Sequence, residues 1–239
     1  MTAPEPLTLY CLAHAGGSAR AFVRWRRELP PRVRAVPLEI AGKGVRSREP
    51  RPATLREAAG DLARRVEPPG RYALFGHSMG GLLAYETARA LDALGRPAPA
   101  FVVVAATRPP HLPGGSPYGA LLGRDDDVLL DALAGHGRIP PELRRSPMRQ
   151  QFVPVVRGDL ALVAGYRPDP VPEPLASDLV SWYGAGDPDT PPEVMAGWRH
   201  YTRGAHRVEG FEGGHFFPHE RFEEVTARLL GLAHGPADR

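Results

Sequence analysis

The 239-residue chain has a single cysteine, Cys11, and a single lysine, Lys43. One cysteine cannot close an internal disulfide, and it puts a cysteine-based metal site out of reach, as suits a reducing cytoplasm. With one lysine, nearly all the positive charge is arginine, and 30 basic against 27 acidic residues leave a formal charge of only +3. There is no block of consecutive basic residues to form a nucleic-acid arm, and Arg26-Arg27 and Arg144-Arg145 read as short solvated pairs. No apolar stretch reaches the ~20 residues a membrane span needs, and the first seven residues lack the basic and apolar regions of an export signal. A cytoplasmic protein is expected, with no membrane, nucleic acid, metal or resident cofactor.

What is present is enough apolar material, 42% of the residues, for one sizeable core in a single domain covering 1–239. The 27 glycines and 28 prolines promise many loops without any repetitive run. Short apolar segments alternate with helical periodicity. Strands are expected at Leu7 to Leu12, Val33 to Leu38, Tyr72 to Phe75, Phe101 to Ala105, Leu179 to Tyr183 and Arg207 to Phe211. Helices are expected at Ala21 to Leu29, Thr54 to Val66, Met79 to Leu94 and Glu220 to Leu232. Thr54 and Glu57 have the spacing of a capping box, and Gly95 follows the third helix as a stop. This alternation predicts an α/β fold, a mostly parallel central sheet with helices on both faces. Between Ala105 and Asp178 it fails. Asp125 to Ala134 and Pro147 to Tyr166 have helical periodicity without a strand, the second interrupted by Pro154, so residues about 109–174 read as a helical lid over a substrate site.

Gly76-His77-Ser78-Met79-Gly80 matches G-x-S-x-G, and its context is that of a nucleophile elbow: a strand ends at Gly76 and a helix starts at Met79. A serine hydroxyl is too weakly acidic to attack at neutral pH, so it needs a base, and the base needs an orienting acid. Chain order selects the candidates. Asp187, in Gly184-Ala185-Gly186-Asp187-Pro188, follows a strand after the nucleophile, with Asp189 as its rival. His215, in Gly213-Gly214-His215-Phe216-Phe217, follows the last strand, with His206 and His219 as rivals. A tetrahedral intermediate also needs two backbone donors. Met79 N–H at the helix start is one, and Ala15 in His14-Ala15-Gly16-Gly17 is the choice for the other, with Gly16 as the alternative. His14 and His77 flank this site and read as structural hydrogen-bonding residues.

Taken together, these residues resemble the type II thioesterases that accompany modular polyketide synthases and nonribosomal peptide synthetases, members of the α/β-hydrolase superfamily. The resemblance covers most of the chain. It includes Ala15-Gly16-Gly17-Ser18 with Phe22 and Trp25, Gly42-x-Gly44-x-Arg46, Tyr72 through Gly80 and Arg108-x-Pro110-His111. Pro154-x-x-Arg157-x-Asp159, Gly186-Asp187-Pro188, Trp198 and Gly213 through Phe217 complete it. It implies hydrolysis of acyl or aminoacyl thioesters from the phosphopantetheine arm of an acyl or peptidyl carrier protein, with Ser78, Asp187 and His215 as the triad, and it favours Asp187 over Asp189. Two segments depart from the family pattern. Cys11-Leu12-Ala13-His14 stands where an aromatic-Pro pair is usual, and Ala41-Gly42-Lys43-Gly44 where Pro-Gly-Arg-Gly is usual; both bear on the oxyanion loop and the acyl preference. A small-molecule esterase or a cyclising or acyl-transfer enzyme would share the chemistry, whereas a non-catalytic binding protein would have lost the serine or the histidine. Arginines near the lid, such as Arg108, Arg138 or Arg144, are candidates for steering an acidic carrier.

Overall fold

A computed structural model describes residues 5–67, 70–112, 119–170 and 173–233. Strands β1 (Leu7–Leu12), β2 (Val33–Pro37), β3 (Tyr72–His77), β4 (Phe101–Ala105), β5 (Asp178–Gly184) and β6 (His206–Phe211) form one sheet in the order β2-β1-β3-β4-β5-β6. Every neighbouring pair is parallel. Parallel strands need long crossovers, and these carry helices α1 (Val23–Glu28), α2 (Leu55–Arg64) and α3 (Met79–Ala93). The lid contributes α4 (Asp126–Gly135) and α5 (Arg149–Gly165); α6 (Pro192–Met195), α7 (Phe217–Glu220) and α8 (Phe222–Ala233) follow.

Alternation along each strand splits the core in two. Tyr10, Leu12, Leu74, Val102 and Val104 point to the face covered by α2 and α3, while Leu9, Cys11, Phe75, Val103 and Ala105 point to the face covered by α1 and α8. All ten are buried, and each large apolar side chain contributes about 1.5–3 kcal/mol of transfer free energy. A third cluster, Leu129, Leu133, Val156 and Leu160, joins α4 to α5 within the lid. Residues 113–118 and 171–172 of the segment expected as a lid lie outside the described residues.

Several expected boundaries move for identifiable reasons. The first helix opens as a 3-10 turn, Ala19–Phe22, because Ser18 caps it by accepting the Arg20 N–H. At α2, Thr54 Oγ1 accepts the Glu57 N–H at 3.1 Å, but Glu57 reaches back to the Ala53 N–H at 2.8 Å, one residue earlier than in a regular capping box. The closing helix is broken at Arg221 into α7 and α8, which lets Phe217 enter the core and sets His219 beside His14. The run from Pro192 to Tyr201, not foreseen as helical, forms α6 and a 3-10 segment that bury Met195, Trp198 and Tyr201.

The register fixes where the loops emerge. Leu12 pairs with Gly76, His77 with Ala105, Ala105 with Trp182 and Gly184 with Phe211. The segments after β1, β3, β4, β5 and β6 therefore leave from one carboxyl edge of the sheet, the edge at which open parallel sheets hold ligands.

Candidate active site

Ser78 stands between β3 and α3 with φ 57° and ψ −121°, a conformation that L-residues rarely adopt. Its surroundings over-determine it. The Ser78 N–H donates to Ala105 O at 2.8 Å, while Ser78 O accepts from the Gly81 N–H and from Thr107 Oγ1, both at 2.8 Å. The flanking glycines are required by space: a Cβ at Gly76 would collide with the Gly80 carbonyl, and one at Gly80 with the Leu12 carbonyl. Ala106, just after β4, is the other non-glycine residue with positive φ among the described residues, at 50°. Both strained residues face the same cavity.

His215 Nδ1 lies 2.7 Å from Asp187 Oδ2. A carboxylate oxygen accepts, so Nδ1 carries the proton and Nε2 is left with its lone pair, the form a general base needs. Asp187 is buried and held from several sides: Thr190 Oγ1 donates to Oδ2 at 2.9 Å, and the Asp189 N–H donates to Oδ1 at 3.2 Å. The Arg138 guanidinium lies 3.3 Å from Asp187 Oδ1 and also pairs with Asp189. The rival acid thus has its carboxylate turned to an arginine of the lid. Of the rival bases, His206 sits on β6 with Nε2 2.9 Å from Ser181 Oγ, and His219 sits on α7 among aromatic rings.

His77 holds the backbone of His215. Its Nε2 lies 2.7 Å from the His215 carbonyl oxygen, which can only accept, so His77 is the Nε2–H tautomer. It packs with His14 and His219, their ring centroids 5.1 to 5.8 Å apart. Burial holds all three neutral: it drives the His77 pKa far below its ordinary value, pushes His14 down to about 3, and pushes His219 down to about 4. Cys11 is fully buried within β1, and burial raises its thiol pKa, so it is not a competing nucleophile.

Ser78 and His215 open into a cavity of about 170 Å³ whose far wall is apolar: Leu82, Leu133, Ile139, Val156, Leu160 and Val163. Five of these belong to α4 and α5 or the segment between them, so the lid supplies most of that wall. Met79 and Ala15 line the same cavity next to Ser78. The N–H of Gly16, the alternative candidate donor, is committed to Asp159 Oδ2 at 2.7 Å, while Ala15 lines the cavity.

The thioesterase domain family matches residues 7–231. The chain belongs to this family. Thioesterase PikA5 of Streptomyces venezuelae is 31% identical over 221 residues, 91% of this chain and 77% of that protein. The solved structure of RedJ, a thioesterase of the prodiginine pathway of Streptomyces coelicolor, superposes with TM-score 0.86 at 32% identity and covers 97% of this chain and 89% of that one. The type II thioesterase BorB of the borrelidin cluster gives 0.83 at 27% identity, over 97% and 94%. This thioesterase accordingly has the α/β-hydrolase fold that the resemblance implies, built on the parallel sheet expected from its strand and helix alternation.

Other sequence readings need revision. Arg138 is not a surface steering charge: its side chain is only 9% exposed and spans the two aspartates. Arg144 is exposed but engaged by Asp131 at 2.9 Å, and Arg108 donates to Asp189 O at 3.1 Å. Thr107 and Thr190 are not among the candidates read from the sequence, Arg138 is read there only as a steering charge, and Asp159 only as part of the family resemblance. Thr107 lies 29 residues from Ser78, Arg138 49 from Asp187 and Asp159 143 from Gly16, separations at which no local pattern reports a contact. Trp198, present in the resemblance without a role, donates its indole N–H to Thr107 O at 2.7 Å and so supports the elbow indirectly.

Proposed function

We propose that this thioesterase releases acyl or aminoacyl groups from the phosphopantetheine arm of a carrier protein through an acyl-enzyme on Ser78. The observation that carries this reading is that Ser78 and His215 share one apolar, lid-walled cavity while His215 Nδ1 is held 2.7 Å from the buried Asp187. His215 Nε2 takes the Ser78 proton as Oγ attacks the thioester carbonyl, and Asp187 stabilises the resulting imidazolium. The tetrahedral oxyanion is met by the Met79 and Ala15 N–H groups. Its collapse expels the pantetheine thiol, and water activated by His215 then releases the acid. The apolar wall takes the acyl chain, and the relatives' pathway settings favour a carrier protein over a free ester as the donor.

The test is intact-protein mass spectrometry with an acyl-pantetheine thioester and with the same acyl group on a carrier protein. The parent should show an acyl adduct mapping to Ser78, and Ser78→Ala should show none while remaining folded, with turnover reduced by about 10⁴ or more. An adduct on Cys11, or undiminished turnover by Ser78→Ala, overturns the serine mechanism. A clear preference for oxygen esters over both thioesters would move the protein to the esterase reading.

A further inference from the structure

The only lysine of the chain is buried, and its position links the lid to the loop that carries Ala15. His14 O accepts the Gly17 N–H at 3.0 Å, closing a tight turn with Ala15 and Gly16 at its centre, and Gly16 has the positive φ, 79°, of the third position of a type II turn. Turns of this kind have a central peptide that can flip, and its N–H here belongs to Gly16. That N–H points at Asp159 Oδ2 on α5, 2.7 Å away. Lys43 Nζ lies 3.0 Å from the same oxygen and donates to Gly17 O at 2.7 Å, holding the end of the turn. Arg51 pairs with the other carboxylate oxygen, Asp159 Oδ1.

The steric fit is equally close. A Cβ at Gly16 would lie 2.8 Å from the Phe152 ring and 3.3 Å from Val156 Cβ, so the turn lies flat on α5. Phe152, Val156 and Asp159 are spaced to share one face of that helix. Asp159 and Lys43 are both almost fully buried, 0% and 3% exposed at the side chain, where a charge persists only if paired. Leu160 and Val163 of the same helix, with Val156, wall the acyl cavity. One helix therefore touches both the chain of the acyl group and the donor loop.

We propose that Asp159 is a positioning residue: by accepting the Gly16 N–H and by pairing with Lys43, which holds Gly17 O, it anchors the His14–Gly17 turn to α5 and thereby places the Ala15 N–H, so that seating of the lid on an acyl chain is coupled to oxyanion stabilisation. This rests on the serine mechanism proposed above. Asp159 touches no reacting atom. Its effect is on the geometry of a donor, and a misplaced donor lowers kcat without weakening ground-state binding.

The experiment compares Asp159→Asn, Lys43→Met and Lys43→Arg with the parent on acetyl and octanoyl N-acetylcysteamine thioesters, with circular dichroism and thermal melting confirming the fold. Asp159→Asn should lose tenfold or more in kcat on the octanoyl substrate with KM within threefold. Its loss on the acetyl substrate, which is too short to seat against α5, should be within threefold. Lys43→Met, which leaves the Asp159–Arg51 pair intact, should fall in the same direction, and Lys43→Arg, which restores a cation, should return to within threefold of the parent. If Asp159→Asn fails to fold, the two Lys43 variants decide the matter alone. A kcat within twofold of the parent in a folded variant, or a loss confined to KM, overturns the coupling. Ser78→Ala assayed alongside separates the two ideas, because full activity there refutes the serine mechanism itself.

Discussion

Lowering the pH from 7 to 5 should destabilise the protein through its three neutral histidines. His14, His77 and His219 all have folded-state pKa values pushed below the ordinary 6.5 by burial. Between 6.5 and about 4, the unfolded chain binds protons at these positions that the folded protein does not. Their stabilising contribution is therefore complete above 6.5 and falls as the pH drops towards the folded values. At pH 5 the medium is 1.5 units below the unfolded value, and each unit is about 1.4 kcal/mol, so a fully buried histidine loses about 2 kcal/mol. His77 is buried outright, whereas His14 and His219 keep part of their surface exposed, which brings the sum to on the order of 4 kcal/mol rather than 6. The carboxylates whose pKa is lowered by arginine partners, Asp61 and Asp127 among them, titrate below their ordinary 3.8 and do not contribute in this window. Glu39, raised above 4.5 by burial, works in the opposite sense and trims the loss. Urea unfolding at the two pH values measures the difference. His219→Phe, placed among Phe22, Phe216 and the two other imidazoles, should reduce the loss by about 1–2 kcal/mol. A parent protein that loses less than 1 kcal/mol, or a His219→Phe variant that loses as much as the parent, would refute the reasoning.

Two further outcomes test the site. Asp187→Asn should cost about 10⁴ in kcat, because the amide no longer holds His215 in the Nδ1–H tautomer, whereas Asp189→Asn, whose carboxylate faces Arg138, should stay within tenfold; steady-state kinetics on one thioester decides. Val163→Phe, projecting from α5 into the acyl cavity, should lower kcat/KM at least tenfold on octanoyl thioesters and leave acetyl thioesters within twofold, and equal losses on both would show that this wall does not hold the chain.

The sheet was legible because strands and helices in this architecture differ in period. Leu7–Leu12 and Phe101–Ala105 are short apolar runs buried on both faces, and their ends match the sequence reading residue for residue. The elbow was legible because its constraint is local: within five residues the chain must end a strand, turn without side chains at Gly76 and Gly80, and start a helix. Chain order then pointed to Asp187 and His215, because parallel strands send their loops to one edge. What order could not choose was Asp187 over Asp189, or Ala15 over Gly16; the family resemblance favoured Asp187, and geometry bears on both. The first turns on His215, whose Nδ1 lies 2.7 Å from Asp187 Oδ2, and the second on Asp159 of the lid, which takes the Gly16 N–H. The same holds for Lys43, which the sequence shows only as the single lysine and which in the fold is a buried link between two loops and a helix. A buried charge or hydrogen-bond donor is defined by what lies opposite it, and here the opposite group is up to 143 residues away, so only the folded chain assigns the pairs.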